Sequence, residues 1–368
     1  MKISVIGLRG FPSIEGGVEK HCESLYPKMD KEIKITVYRR KPYVKKDSTN
    51  YENIEFIDLP STKIKGFEAF FHSLISSIDA MVKKPDLVHY HNIGPALFCP
   101  IVKLRKIPVV LTYHSANYEH KKWGRFAQKL LLFSEKIALK YADRIIFVNK
   151  FQMEKYDSAI RKKSVYIPNG INDLTVSDDD NFLNKIGVKK NEYILSVGRI
   201  TPEKGFDILI KAFNIAKKGG LKLVIAGGVE FENQYMLDLQ KLCNNESVIF
   251  TGYTFGDDLC QLYTNAKLFV LASRNEGFPL VLLEAMNYQL DVIVSDIPAT
   301  HLIDLKDDDY FTVGDYNELG EKIEKKINCS QERNYNLSSF DWNVISKETS
   351  FIYYELIGEN NDKSITVR

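Results

Sequence analysis

Short runs of β-branched and aromatic residues alternate with longer amphipathic stretches along this chain, and the alternation happens twice. The runs at 2–8 (KISVIGL), 34–40, 54–59, 86–91 (DLVHYH), 109–114 (VVLTYH) and 144–149 read as strands. Between most of them lie segments with apolar residues at helical spacing, such as 67–82 and 123–141. A second set of strands follows at 192–198, 221–227, 247–252, 267–273 and 291–296, with helices near 203–218, 231–244, 256–265 and 280–289. Strands separated by helices pair in parallel and are covered on both faces, so two doubly wound parallel α/β domains are expected. The break falls at IPNGIND (167–173), a Pro-Asn-Gly turn ahead of the acidic VSDDDN, which divides the chain into 1–167 and 168–344. Such sheets bind ligands beyond the carboxyl ends of their strands. Two of them predict a cleft lined by βα loops.

With 368 residues and 44% hydrophobic content the chain can build two cores. Its five cysteines are scattered and form no C-x-x-C pair, so neither a disulfide framework nor a zinc site is suggested, and a reducing cytoplasm fits. The opening MKISVIGLRGF lacks a secretion-signal core, and no window reaches the ~18 uncharged apolar residues of a membrane span. The net charge of +2 hides an asymmetry: residues 1–167 carry 30 Lys+Arg against 17 Asp+Glu, the remainder 20 against 31. A basic half points to an anionic partner, either nucleic acid or an anionic membrane, unless it is solvated surface alone. No aromatic-basic RNA-binding signature occurs, so nucleic acid is not expected.

The chemistry-bearing motifs all follow strands. In GLRGFPSIEGGVEKH, Gly16 and Gly17 precede a helix expected from Val18 to Met29, whose first amides could meet an anion. A flexible turn is the plain alternative, and no G-x-G-x-x-G is present. His114 ends the fifth strand; a lone histidine is usually structural, but at a strand's carboxyl end it is a better candidate for a cleft residue. Glu119 and His120 follow it, but no H-E-x-x-H occurs and no metal is expected. The next helix spaces Trp123, Phe126, Leu130 and Phe133 among lysines, which suits a core face first and a membrane-facing rim second. In SVGRITPEKGF, Arg199 and Lys204 flank a helix start and make a candidate diphosphate clamp. SRNEGFPLVLLEAM sets Glu276 before a helix opened by Pro279 and Glu284 more than a turn into it. Gly277 lets a backbone approach a ligand closely, and carboxylates accept from sugar hydroxyls. The plain alternative is a capped helix with a glutamate at each end. The Asp runs at 178–180 and 307–309 read as solvated surface.

These residues together make the chain resemble a bacterial family 4 glycosyltransferase of the GT-B fold, with two Rossmann-like doubly wound parallel-sheet domains facing across a cleft. The resemblance spans nearly the whole chain. It rests most on the E-x7-E stretch EGFPLVLLEAM, then on GRITPEKG (198–205), IPNGI (167–171), the Gly16-Gly17 loop and FTGY (250–253). The segments RGFPSIEGGVEKHCESLYP and HKKWGRFA are similar to a subgroup that builds surface polysaccharides and includes rhamnosyltransferases.

The resemblance implies a role for each matching residue. Glu276 contacts the donor sugar's hydroxyls, and the backbone through Gly277, Phe278, Pro279, Leu280 and Val281 holds sugar and phosphates. Glu284 accepts from the donor ribose, Arg199 and Lys204 neutralise the diphosphate, and Tyr253 and Thr254 lie near the nucleobase. Gly16 and Gly17 approach the phosphates or the acceptor, and His114 sits at the reacting centre on the acceptor side. The resemblance further implies a UDP-, GDP- or dTDP-linked sugar donor, retention of anomeric configuration, and no metal or other cofactor. The acceptor would be a lipid-linked saccharide reached from the cytoplasmic side of an anionic membrane. The terminal segment resembles helices that return to the first domain, assigning residues from about 345 onward to it. One departure is IPATHLI (297–303), where many relatives are Gly-rich. A soluble-acceptor transferase, a sugar-nucleotide epimerase and a non-catalytic binding protein are the rival readings.

Overall fold

The computed structural model describes all residues except 15, 45–49, 63–66, 117, 119–123, 218, 230–233, 244–245, 330–332 and 359–368. It divides the chain into two compact units, Met1–Asn172 joined by the segment from Ser339, and Asp173–Ser338. Glu119, His120 and Trp123 lie outside the described residues.

In the first unit seven strands form one sheet: β1 (Lys2–Ile6), β2 (Lys34–Arg40), β3 (Ile54–Leu59), β4 (Leu87–His91), β5 (Val109–Tyr113), β6 (Arg144–Phe147) and β7 (Ser164–Tyr166). Their order is β3-β2-β1-β4-β5-β6-β7, every pair parallel. Alternation along each strand sorts side chains to two faces. Ile3, Val5, Val37, Leu87, Val110 and Ile146 enter one core, while Ile6, Tyr38, Val88, Leu111 and Phe147 enter the other. β4 and β5 are buried along their whole length, as expected of central strands covered by helices on both sides. The C-terminal helix Trp342–Ile357 completes the first of these cores with Trp342, Ile345, Ile352 and Tyr353. Its entry segment pairs with the Pro-Asn-Gly turn, where Ile171 N donates to Phe340 O at 2.7 Å. A methyl group on Gly170 would lie 2.5 Å from the Trp342 ring, so only glycine lets that ring close the core.

The second unit contains β8 (Tyr193–Val197), β9 (Lys222–Ala226), β10 (Val248–Gly252), β11 (Leu268–Leu271), β12 (Val292–Ser295) and β13 (Tyr310–Phe311). Their order is β10-β9-β8-β11-β12-β13, again all parallel. Both sheets therefore reverse their winding at one place, between β1 and β4 in the first and between β8 and β11 in the second. Loops diverge at such a switch point and leave a crevice beyond the strand ends. Among the described residues no helix is long and apolar enough to cross a membrane.

In the acidic run 307–309, Asp307 and Asp308 are exposed as the composition suggests, but Asp309 is not. Asp309 is fully buried, and Lys326 and Arg333 both bond its carboxylate. Asp308 is held by Lys325 at 2.8 Å. A helix at Tyr316–Asn328 carries these lysines and neutralises the run.

Candidate functional site

In the second unit the predicted donor residues gather at the β8/β11 switch point. The β8 loop passes Gly198 and Arg199, forms a short 3-10 turn at Pro202–Lys204 and enters the helix Phe206–Ile215. The β11 loop runs through Ser273–Pro279 into the helix Leu280–Asn287, with Pro279 at its N-cap. The loops meet at one ion pair: Lys204 Nζ lies 2.6 Å from Glu276 Oε1, both largely buried. Ser273 Oγ donates to the same oxygen at 2.6 Å. Thus a cation and a carboxylate from adjacent strands sit together where a ligand's charge and hydroxyls would arrive.

Contacts continue from this pair across the other loops. The Lys204 side chain lies along Gly198, and Ile200 N donates to Gly228 O at 3.0 Å in the β9 loop. Tyr253, from the β10 loop, lays its ring on Gly228, where a methyl group would come within 2.3 Å. Tyr253 is 45% exposed and stacks on the exposed Phe255 at a centroid distance of 6.0 Å. Thr254 differs: it is buried, and its hydroxyl is engaged by Thr251 Oγ1 at 2.7 Å. Arg199 is exposed beside Gly198. Gly277, Leu280 and Val281 are half-buried along the helix entry, while Phe278 and Pro279 are buried. Glu284 is half-buried, and Tyr263 Oη donates to its Oε2 at 2.9 Å.

In the first unit the β1/β4 switch point holds a histidine cluster. β4 ends on His89 and His91, two residues apart and therefore on one face. His114 follows β5 and is half-buried; its Nε2 lies 3.0 Å from His91 Nδ1. His91 Nε2 meets Tyr26 Oη at 2.6 Å, and His89 Nδ1 meets Tyr353 Oη at 2.6 Å. His21 packs edge-on against His114 at a centroid distance of 4.8 Å, and its Nδ1 bonds Asn169 Oδ1 at 2.7 Å. Burial drives every one of these rings toward the neutral form: His21 to about 4, His89 to about 3, His91 and His114 well below the ordinary value. Neighbouring imidazoles depress the last three further. His21, His91 and His114 each offer a ring nitrogen, all within 4.8 Å, and are the described residues that could hold a metal ion. Two of the three, His91 and His114, already hydrogen-bond each other.

The glycine loop behaves less simply than its sequence suggests. Gly17 opens a helix that closes at Leu25, shorter than Val18 to Met29, with a 3-10 turn after it. The carboxylate lying against Gly16 is the chain's own Glu19, whose Oε1 accepts from Arg9 N at 2.9 Å.

Ser273, Arg274, Tyr263, His21 and His91 join the candidate residues without having been expected from the sequence. His91 had a signal, the H-Y-H of an otherwise apolar strand. His21 had none beyond its position after the glycines.

Comparison with known proteins covers both units. The family model described as Glycosyltransferase Family 4 matches residues 15–173, and that described as Glycosyl transferases group 1 matches residues 178–337. A glycosyltransferase of Methanocaldococcus jannaschii is 29% identical over 323 residues, 81% of each chain. The amylovoran biosynthesis glycosyltransferase AmsD of Erwinia amylovora is 26% identical over 201 residues, 55% of this chain and 57% of its own length. Among solved structures, Anabaena HepE in complex with UDP and glucose superposes with a TM-score of 0.75 at 19% identity, over 96% of this chain and 100% of that one. That likeness is one of fold, GT-B.

Proposed function

Because the chain belongs to the family 4 glycosyltransferases, we propose that it moves a sugar from a nucleoside diphosphate to a saccharide acceptor, with retention, in building a surface polysaccharide. The observation that carries the site assignment is the Lys204–Glu276 pair at the β8/β11 switch point. A nucleotide sugar presents opposite needs at that place, anionic phosphates and hydrogen-donating hydroxyls. The diphosphate takes Lys204 and Arg199, which frees the Glu276 carboxylate to accept from the sugar. The backbone from Gly277 through Val281 at the helix entry lines the sugar and phosphates, with the Leu280 N–H itself given to Phe278 O at 3.0 Å. Glu284 orients the ribose, and the Tyr253 ring covers the base, whether uracil, guanine or thymine.

As the glycosidic bond breaks, negative charge grows on the leaving diphosphate. Cations fixed there stabilise the transition state more than the ground state. The leaving phosphate itself takes the acceptor's proton, so Glu276 and Glu284 act neither as acid nor as base, and no metal ion is needed. On the acceptor side His114, neutral near pH 7, offers a hydrogen bond without adding charge.

Amylovoran biosynthesis in the Erwinia relative's name supports a polysaccharide acceptor, taken here as lipid-linked, with rhamnose a candidate sugar. A lipid-linked acceptor calls for an enzyme held peripherally at the cytoplasmic face of an anionic membrane. The exposed face of the helix Arg125–Tyr141 supports that placement. Phe126 is 83% exposed and Phe133 54%, with Lys129, Lys136 and Lys140 also exposed. The core face first expected for this helix belongs instead to Leu131, Ala138 and Leu139.

The test is transfer from UDP-, GDP- and dTDP-linked sugars by Lys204→Ala and Glu276→Ala. Each variant should lose on the order of 10²–10³ in rate while keeping its thermal midpoint. Full activity in both would remove the site assignment.

A further inference from the structure

The two loops that bring Lys204 and Glu276 together are not held by that pair alone. Arg274, two residues before Glu276, reaches across to the β8 loop. Its backbone N donates to Glu203 O at 2.7 Å, and its Nη1 donates to Pro202 O at 2.7 Å. The guanidinium also grips Asp207, Nη1 to Oδ1 at 2.8 Å and Nη2 to Oδ2 at 2.7 Å. Asp207 stands in the first turn of the helix that follows Lys204. Arg274 therefore binds the chain on both sides of the lysine. Asp207 is fixed in turn by Tyr235, whose Oη donates to Oδ1 at 2.8 Å. Burial works against the Asp207 carboxylate, but the Arg274 and Tyr235 hydrogen bonds outweigh it and hold its pKa below the ordinary value.

The backbone closes the same joint from the other side. Gly205 has φ +65°, and a methyl group there would lie 2.0 Å from Ala272 O, one residue before Ser273. The β8 loop thus runs against the end of β11 with no room to slide.

We propose that Arg274 is the positioning residue of the donor site, setting the Lys204 ammonium and the Glu276 carboxylate at one fixed separation. The proposal rests on the reading of those two groups as donor-binding. Stability alone gives little reason for the arrangement. The Arg274 side chain is 40% exposed, and ion pairs at that exposure contribute little to folding. Register is where the arrangement matters, because a displacement of about 1 Å between reacting groups costs on the order of 10²-fold in rate. Arginine's rigid planar fork grips the carboxylate through two nitrogens while also binding the carbonyl, a bidentate geometry that a lysine's single ammonium does not reproduce.

The experiment is steady-state transfer by Arg274→Ala, Arg274→Lys and Asp207→Asn, using whichever of UDP-glucose, GDP-mannose and dTDP-rhamnose the wild type turns over. Thermal midpoints are measured alongside. Arg274→Ala should lower kcat on the order of 10- to 100-fold, more than it raises the donor KM, with little change in midpoint. Arg274→Lys should not restore the rate, and Asp207→Asn should fall between. In a Lys204→Ala background the Arg274→Ala change should cost almost nothing more, since Arg274 acts through that lysine. Wild-type kcat in Arg274→Ala, or a loss that adds in full to that of Lys204→Ala, overturns the proposal and leaves the donor site standing. Full activity in Lys204→Ala and Glu276→Ala overturns both.

Discussion

Asp309 is 0% exposed, and the Lys326 and Arg333 side chains beside it are 6% and 5% exposed. Lys326 Nζ bridges Asp309 and Asp291, at 2.5 and 2.7 Å, and Arg333 binds the same two carboxylates. Charges this deep tolerate burial only while each has its partners. Lys326→Met should leave two carboxylates sharing one guanidinium and cost about 3–5 kcal/mol. Urea denaturation of the variant tests this, and an unchanged midpoint would refute it. Composition gave no warning here, since three aspartates in a row read as surface. What accompanies Asp309 into the interior is a lysine seventeen positions later, on a helix whose apolar stripe is Leu319, Ile323 and Ile327. The Lys204–Glu276 meeting was partly legible, because each residue stood after a strand. Arg274 was not, because an arginine on a loop is ordinary until its partners are placed.

At the level of elements, each expected strand is present, because central strands of parallel sheets are continuous apolar runs that pattern reading detects. β7 and β13 escaped notice for the opposite reason. One is three residues long and half-buried, the other only two residues. Helix faces were harder to read than strands. The segment Arg125–Tyr141 has apolar residues all round, and only packing shows which of them face water. Its exposed Phe126 and Phe133 among lysines suit the boundary of an anionic bilayer, where each nearby lysine contributes about 1 kcal/mol. The wild type should float with anionic vesicles at low salt and be released as salt rises. The double change Phe126→Ser and Phe133→Ser should abolish flotation. Absence of wild-type binding at every salt concentration would sink the membrane placement.

Across the whole molecule the histidines are distributed unequally. His21, His72, His89, His91 and His114 are all in the first unit, all shifted downward by burial, whereas only His301 falls within 173–338. Their folded pKa values lie near 4 for His21 and His72 and near 3 for His89, against 6.5 when unfolded. Below pH 6.5 the unfolded chain takes up protons that the folded unit refuses. Stability is therefore full above that pH and falls as pH drops toward 4, by about 1.4 kcal/mol per pH unit for each such histidine. Both tryptophans belong to the first unit's stretch of chain, Trp123 and Trp342, so their fluorescence reports on it alone. Between pH 7 and pH 5 the fluorescence-detected midpoint should drop more than the rest of the circular-dichroism transition. Equal shifts in the two signals would count against this. The histidine cluster could not be assembled from the sequence, because its members come from two strands' ends and a helix, with Asn169 far along the chain.

The return of Trp342, Ile352 and Tyr353 to the first core has a consequence in time. A chain emerging from the ribosome normally finishes its domains in order, the first before the second. Here the sheet from β1 to β7 is translated long before the helix that seals it, and the whole second unit is made in between. The unit that is begun first is the last to be completed. A chain cut short at residue 338 would carry every strand of both sheets, yet its first core would lie open where Trp342 and Tyr353 belong.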